Sequence, residues 1–160
     1  MSDAVTDTTI ISNTTDFLVD TLTTDITDPA TAREANSKFV VVKHSGVPLH
    51  YPCIVIDVLS VSAGSALGFG MESHLYEVTC EIQIYVKKRR FEVDRIADLV
   101  LNSIRTSHQG TNSAVEKGIY NPIVLSSTML VEDEDFKTGG FEKVFRRIIQ
   151  VRYQYVTKGA

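Results

Sequence analysis

One stretch limits the fold more than any other. Leu75 to Val86 reads L-Y-E-V-T-C-E-I-Q-I-Y-V, and it alternates almost throughout. Tyr76, Val78, Cys80, Ile82, Ile84 and Val86 are apolar and share one side of an extended chain. Glu77, Thr79, Glu81 and Gln83 take the other side. A period of two sustained at this length predicts a long antiparallel-type strand with one buried and one wet face. The rest of the chain must precede this strand, cover its apolar face or pair with its edges.

Before it, Met1 to Thr8 has no packing pattern and is expected to be a loose tail. From Thr9 to Asp28, Ile10, Ile11, Phe17, Leu18, Leu22 and Ile26 fall on one face of a helix. Asp7 or Thr8 is placed to cap it. Thr and Asp crowd its outer face, so docking must hold it rather than its own propensity. All six acids of the first thirty-two residues, Asp16 and Asp20 among them, occur without a base. Such a run is either a solvated face or an interface with a basic neighbour. Pro29 disfavours continuing the helix.

Lys38 to His44 reads as a short strand. The segment to Pro52, with Gly46 and Pro48, reads as a turn. Cys53 to Val61 is apolar on both parities apart from Asp57 and Ser60. It is expected to run centrally with both faces covered. Ser62 to Ser73 contains Gly64, Gly68 and Gly70 and reads as a flexible loop. Its Leu67, Phe69 and Met71 are candidates for contact with another subunit or partner.

After the organising strand come Lys87, Lys88, Arg89 and Arg90, then a helix over Phe91 to Thr106. Val93, Ile96, Ala97, Val100, Leu101 and Ile104 define its apolar face. Four bases at the positive end of a helix gain nothing from its dipole. They solubilise the turn or meet an acidic surface, such as the acidic first helix of a neighbouring copy. Ser107 to Tyr120 reads as a loop and Ile123 to Val131 as a strand. Glu132 to Gly140 reads as an acidic turn and Phe141 to Thr157 as a last long strand.

In that last strand Phe145, Ile149, Val151, Tyr153 and Tyr155 share a face with Arg147. Arg147 should therefore either reach an acid, such as one on a helix, or lie at the sheet rim. Arg146 and Arg152 lie on the opposite face and could stand against Glu77 and Glu81. Such pairs contribute about 0.2–1 kcal/mol each. The fold expected is α+β, in the order α-β-β-β-α-β-β. One mostly antiparallel sheet of about five strands carries two helices on one face.

A hydrophobic fraction of 43% over 160 residues supports one folded domain, 1–160. A net charge of −4 argues against nucleic-acid affinity for the chain as a whole. The polar, acidic first residues do not read as a secretory signal, and no apolar run spans a bilayer. Cys53 and Cys80 read as small buried hydrophobes in a reducing compartment rather than a disulfide. No catalytic pattern emerges. His44, His50, His74 and His108 lie at strand ends or in loops and form no metal-binding spacing. The acidic run Glu132 to Asp135 lacks the glycine-containing calcium loop. The glycines of 64–70 are followed by a strand where a phosphate loop needs a helix. No cofactor, metal or catalytic residue is expected, and the chain reads as a scaffold rather than an enzyme.

The order of elements, with Y-P-C-I-V-I-D-V (Tyr51 to Val58), H-L-Y-E-V-T-C-E-I-Q-I-Y-V (His74 to Val86), F-E-V-D-R-I-A-D-L-V-L-N-S-I-R (Phe91 to Arg105) and F-R-R-I-I-Q-V-R-Y-Q-Y-V (Phe145 to Val156), resembles the tail terminator, or tail completion, proteins of long-tailed siphovirus- or myovirus-like viruses of bacteria and archaea. The resemblance covers nearly the whole chain and rests on element order and length. It implies a virion protein, assembled in the host cytoplasm, that forms a hexameric ring at the tail-neck junction. The ring would end tail-tube polymerisation and join the tail to the head-neck proteins. Leu67, Phe69, Met71, Lys87, Lys88, Arg89, Arg90, Asp16 and Asp20 would be interface candidates. Arg146 and Arg152 would be candidates for a lumen through which genomic DNA passes. Another neck or head-tail connector ring is the near alternative. A monomeric α+β small-ligand-binding domain is the distant one.

Overall fold

The computed structural model describes residues 9–33, 35–46, 49–67, 73–107, 119–135 and 141–158. In chain order these form α1 (Ile10–Asp25), β1 (Val40–Val42), β2 (Cys53–Leu67), β3 (Ser73–Lys87), α2 (Arg90–Thr106), β4 (Ile119–Asp135) and β5 (Phe141–Lys158). The fold is α+β, a single mixed sheet with two helices. Its strand order is β1-β2-β3-β5-β4, with β1 parallel to β2 and every other pair antiparallel.

The alternation of Leu75–Val86 becomes β3, at the centre of the sheet. Val78, Cys80, Ile82, Ile84 and Val86 are buried on one side with Ile149, Val151, Tyr153 and Tyr155 of β5. Both helices lie on that side. α1 packs on β1 and β2, and α2 packs on β3 and β5. Phe17 of α1 also reaches Tyr153 edge-on, with ring centroids 6.5 Å apart. Val93, Ile96, Ala97, Val100 and Ile104 supply the buried face of α2. Glu92 in its first turn and Arg105 in its last complement the dipole.

α1 is shorter than Thr9–Asp28 and its buried face is shifted. Ile11 is 59% exposed, while Thr14 is buried and donates to the Ile10 carbonyl at 2.5 Å. Thr9 stands at the N-cap without a side-chain capping bond, and residues 7 and 8 lie outside the described set, as does the whole expected tail. Docking supplies what propensity lacks, and Ser103 of α2 adds a 2.7 Å hydrogen bond to Asp25 at the end of α1.

β2 and β4 are both longer than their apolar runs. Much of the expected loop after Ser62 is β2–β3 ladder, with register shifts near Leu59 and between Ala63 and Ala66. The four acids of the expected turn, Glu132 to Asp135, continue β4 opposite Val144 to Phe141, and residues 136–140 lie outside the described set. Backbone pairing with a long neighbour extends a strand past the residues that bury side chains. β2 is covered on both sides only at its start, where Cys53, Ile54, Val55 and Ile56 are buried. Cys53 and Cys80 are both free thiols and belong to separate clusters, Cys80 under the helices and Cys53 with Val41 and Val55.

One connection is held by a residue absent from the sequence argument. Arg33, following α1, donates to both carboxylate oxygens of Asp28 at 2.7 and 2.5 Å. It also donates to the carbonyls of His50 at 2.7 Å and Pro52 at 2.9 Å. Its guanidinium lies over Phe39, 5.6 Å from the ring centre. Four hydrogen bonds and a ring contact clip the segment before β1 to the segment before β2. They also hold the Asp28 carboxyl below its usual range.

Candidate functional site

Among the described residues no helix covers the other side of the sheet; apart from the buried Val41, Cys53 and Val55 at one end, it is largely polar and collects charged side chains that the alternation turned outward. Its geometry follows from register. Arg146 of β5 stands opposite Tyr85, and Arg152 stands opposite Thr79. The glutamates instead face glutamines, Glu81 against Gln150 and Glu77 against Gln154. The expected Arg–Glu cross-strand pairs are therefore not formed directly. Arg152 is one same-face step from Glu77 and from Glu81, and Arg146 is two such steps from Glu81, since two residues along a strand preserve the face.

A directed chain of hydrogen bonds runs along this face. Arg146 Nη1 donates to the Tyr85 hydroxyl at 3.4 Å, and that hydroxyl donates to Gln83 Oε1 at 2.5 Å. Gln83 Nε2 donates to Glu81, whose other oxygen accepts from Gln150 Nε2 at 3.5 Å. A cation heads the chain and an anion ends it, so each bond polarises the next in one sense. Gln83 is buried in the row. Beside it, Lys87 Nζ lies 4.9 Å from the Tyr51 ring centre, Tyr51 and Tyr85 are 6.0 Å apart, and Arg146 lies 5.7 Å from the Tyr85 ring. Two cations thus flank an aromatic pair.

Lys87 is therefore part of this face and not simply one of four exposed bases. Lys88, Arg89 and Arg90 are exposed at the β3–α2 turn, where Lys88 takes φ +69° and its N–H donates to Lys143 O at 3.0 Å. Asp16 and Asp20 are exposed on the outer face of α1. Ion pairs among the described residues are Arg33–Asp28, Lys43–Asp57 and Arg147–Asp94, so none joins Asp16 or Asp20 to the basic turn within one chain. Leu67 ends β2, with its side chain outside the described set. Phe69 and Met71 lie outside it altogether.

Arg146 and Arg152 share the open face, six positions apart, or about 20 Å along the strand. Arg146 is engaged by Tyr85. Arg152 is half-buried, makes no ion pair among the described residues, and leaves its Nε without a hydrogen-bond partner. Neither Tyr51 nor Tyr85 was singled out from the sequence. Tyr85 follows the parity of Glu77 and Glu81 and could have been placed on this face. Tyr51 sits in a turn and carries no such signal.

On the helix side, α2 and β4 bound an open groove of about 800 Å³. Asp98, Asn102 and Arg105 line it together with the apolar Leu101, Ile104, Pro122 and Val124. No group of three or more His, Cys, Asp or Glu among the described residues could hold a metal ion. No helix among them is long and apolar enough to cross a membrane. No protein-family model and no curated protein matches this chain.

Proposed function

We propose that this chain is a structural ring subunit of a virus tail. Six copies sit at the head-proximal end of the tail tube, end its polymerisation and join the tail to the head-neck proteins. The observation that carries this reading is the two-sidedness of the sheet. One side is roofed by both helices, and the other, which no helix covers among the described residues, carries Lys87, Arg146 and Arg152 half-buried in a largely polar face. A ring wall around passing DNA has that need. Its inner side must stay wet and attract phosphate without reading bases, while its outer side closes the core. The element order α-β-β-β-α-β-β also agrees with the resemblance to tail terminators.

The test is to add the purified protein to growing tail tubes. Tubes should acquire a ring at one end and stop lengthening. Tubes that grow on unchanged, with no ring at either end, defeat the reading. Binding to the head connector but never to tubes transfers the chain to another neck ring.

A further inference from the structure

Among the described residues both edges of the sheet are bare, and the two edges match. There β4 is outermost and pairs only with β5. From Ile119 to Val131 it runs 13 residues without a charge. Ile123, Val124, Leu125, Leu130 and Val131 are between 36% and 54% exposed, on both sides of the sheet. Strands sit about 4.8 Å apart and a helix is about 10 Å across, so two helices roof only about four strands. β4 is the strand left outside. Folded monomers guard such an edge with lysines, inward charges or short strands. β4 has none of these between Ile119 and Val131; Pro122 and two register shifts, all near its start, are its guards.

The opposite edge is bare too. β1 covers β2 only over Ile54–Ile56, and the Lys43–Asp57 ion pair marks its end. From Val58 to Leu67, ten residues without a charge, β2 has no strand beside it on that side among the described residues. Leu59, at the register shift, is 45% exposed there.

We infer that β4 of one copy pairs with the Val58–Leu67 segment of β2 in the next copy, so that neighbouring copies share one continuous sheet. The strand directions require no adjustment. β2 and β4 run oppositely within one sheet, so copies related by rotation about a ring axis bring them together antiparallel, the more stable ladder. Such a rotation also keeps the helices of every copy on one side and the Arg146–Arg152 face on the other. One patch meets a different patch, as a closed ring needs. A two-fold β4–β4 pair would stop at two copies and leave each β2 segment bare. Because β1 stands beside the start of β2, β4 must shift toward the Leu67 end, a stagger that closed sheets require. Closure into a ring rests on the reading given under Proposed function; the strand pairing itself does not.

Cysteine cross-linking in the full chain tests it. Ser60→Cys combined with Ser126→Cys or Thr128→Cys, oxidised after assembly, should give a ladder of disulfide-linked multimers. Each single variant should give no ladder. Cys53 and Cys80 are buried and stay out of the reaction. A Leu125→Lys/Leu130→Lys variant should unfold at the same urea concentration as the parent yet lose the assembly. The pairing is overturned by efficient dimers from Ser126→Cys or Thr128→Cys alone. It is also overturned by an assembled particle that no pair cross-links, by a chain monomeric both alone and on tubes, or by undiminished assembly of the double-lysine variant. A ladder without tube capping keeps the shared sheet and removes the tail role. Tube capping by the double-lysine variant does the reverse.

Discussion

Arg147 of β5 reaches Asp94 of α2, with Nη2 2.8 Å and Nε 3.2 Å from the same carboxylate oxygen. Arg147 stands opposite Ile84 on the helix side of the sheet, where every neighbour along β5 is apolar. Its Nη1 also donates to Ser127 of β4 at 3.0 Å. One side chain thus ties the second helix, the strand beneath it and the edge strand. The sequence left this arginine either an acid partner or a place at the sheet rim, and α2 provides the acid.

Removing the acid should cost more than removing the arginine. Asp94→Asn is expected to lower stability by about 1 kcal/mol, since the carboxylate is 44% exposed and screened by solvent. Arg147→Met should be nearly neutral, because a side chain of similar length fills the same space without charge. Urea unfolding of both single variants and the double variant measures the coupling. Purely additive costs would show that the pair contributes nothing.

Arg33→Lys is expected to destabilise by about 1–3 kcal/mol. An ammonium cannot reproduce a planar fork that bonds a carboxylate and two carbonyls together. The Asp28 pKa is lowered on folding, so the stability linked to it is present above the unfolded value, near 3.8, and lost as pH falls through the lower folded value. In the Lys variant that acid limb should flatten. An unaltered limb would mean that the clip is not formed in solution.

The Tyr153 hydroxyl is buried without a hydrogen-bond partner among the described residues. Tyr153→Phe should leave stability unchanged or raise it by up to about 1 kcal/mol. Tyr153→Ala should cost about 3–5 kcal/mol, because the ring fills the space under Phe17. A loss in the Phe variant as large as in the Ala variant would reveal a partner for the hydroxyl.

Burial pushes both thiols up to about 12, from an ordinary value of 9.0. The folded state therefore holds these protons after the unfolded state has released them. Stability linked to them is full below about pH 9 and declines as pH rises toward 12. Burial also raises Tyr153 and Tyr155, which steepens the decline above pH 10. The urea midpoint should be flat from neutral pH to about 9 and fall beyond it, and a thiol reagent at pH 8 should label only unfolded chain. Rapid labelling of folded protein would contradict this.

Charge reversal at Lys88 and Arg89 should weaken self-association and leave the monomer folded, because both are exposed while Asp16 and Asp20 stand exposed on a different element. Sedimentation at low and high salt reads the effect. Assembly unchanged by reversal and by salt would remove charge from the contact between copies.

Much of the candidate site was legible as composition of a face but not as contacts. Alternation alone placed Arg146 and Arg152 away from Ile149 and Tyr153, and that holds. It could not say that Tyr85 would stack with Arg146, or that Tyr51, from a turn, would complete the pair with Lys87. Arg33 was invisible for a related reason. A single base in a connection has no periodicity, and its acceptors lie 17 and 19 residues away.

From sequence alone follow the two helices, the central strand, which of its residues face inward, and that Arg147 needs an acid or a place at the sheet rim. These rest on local periodicity and on the cost of burying an unpaired charge. Tertiary structure decided the register and the true lengths of the strands. A two-residue slip keeps every side chain on its own face, so alternation permits arginine or glutamine opposite Glu81 equally. Only the packed sheet, through its bulges and the helices above it, selects glutamine. The same packing, with two helices over five strands, leaves β4 outside.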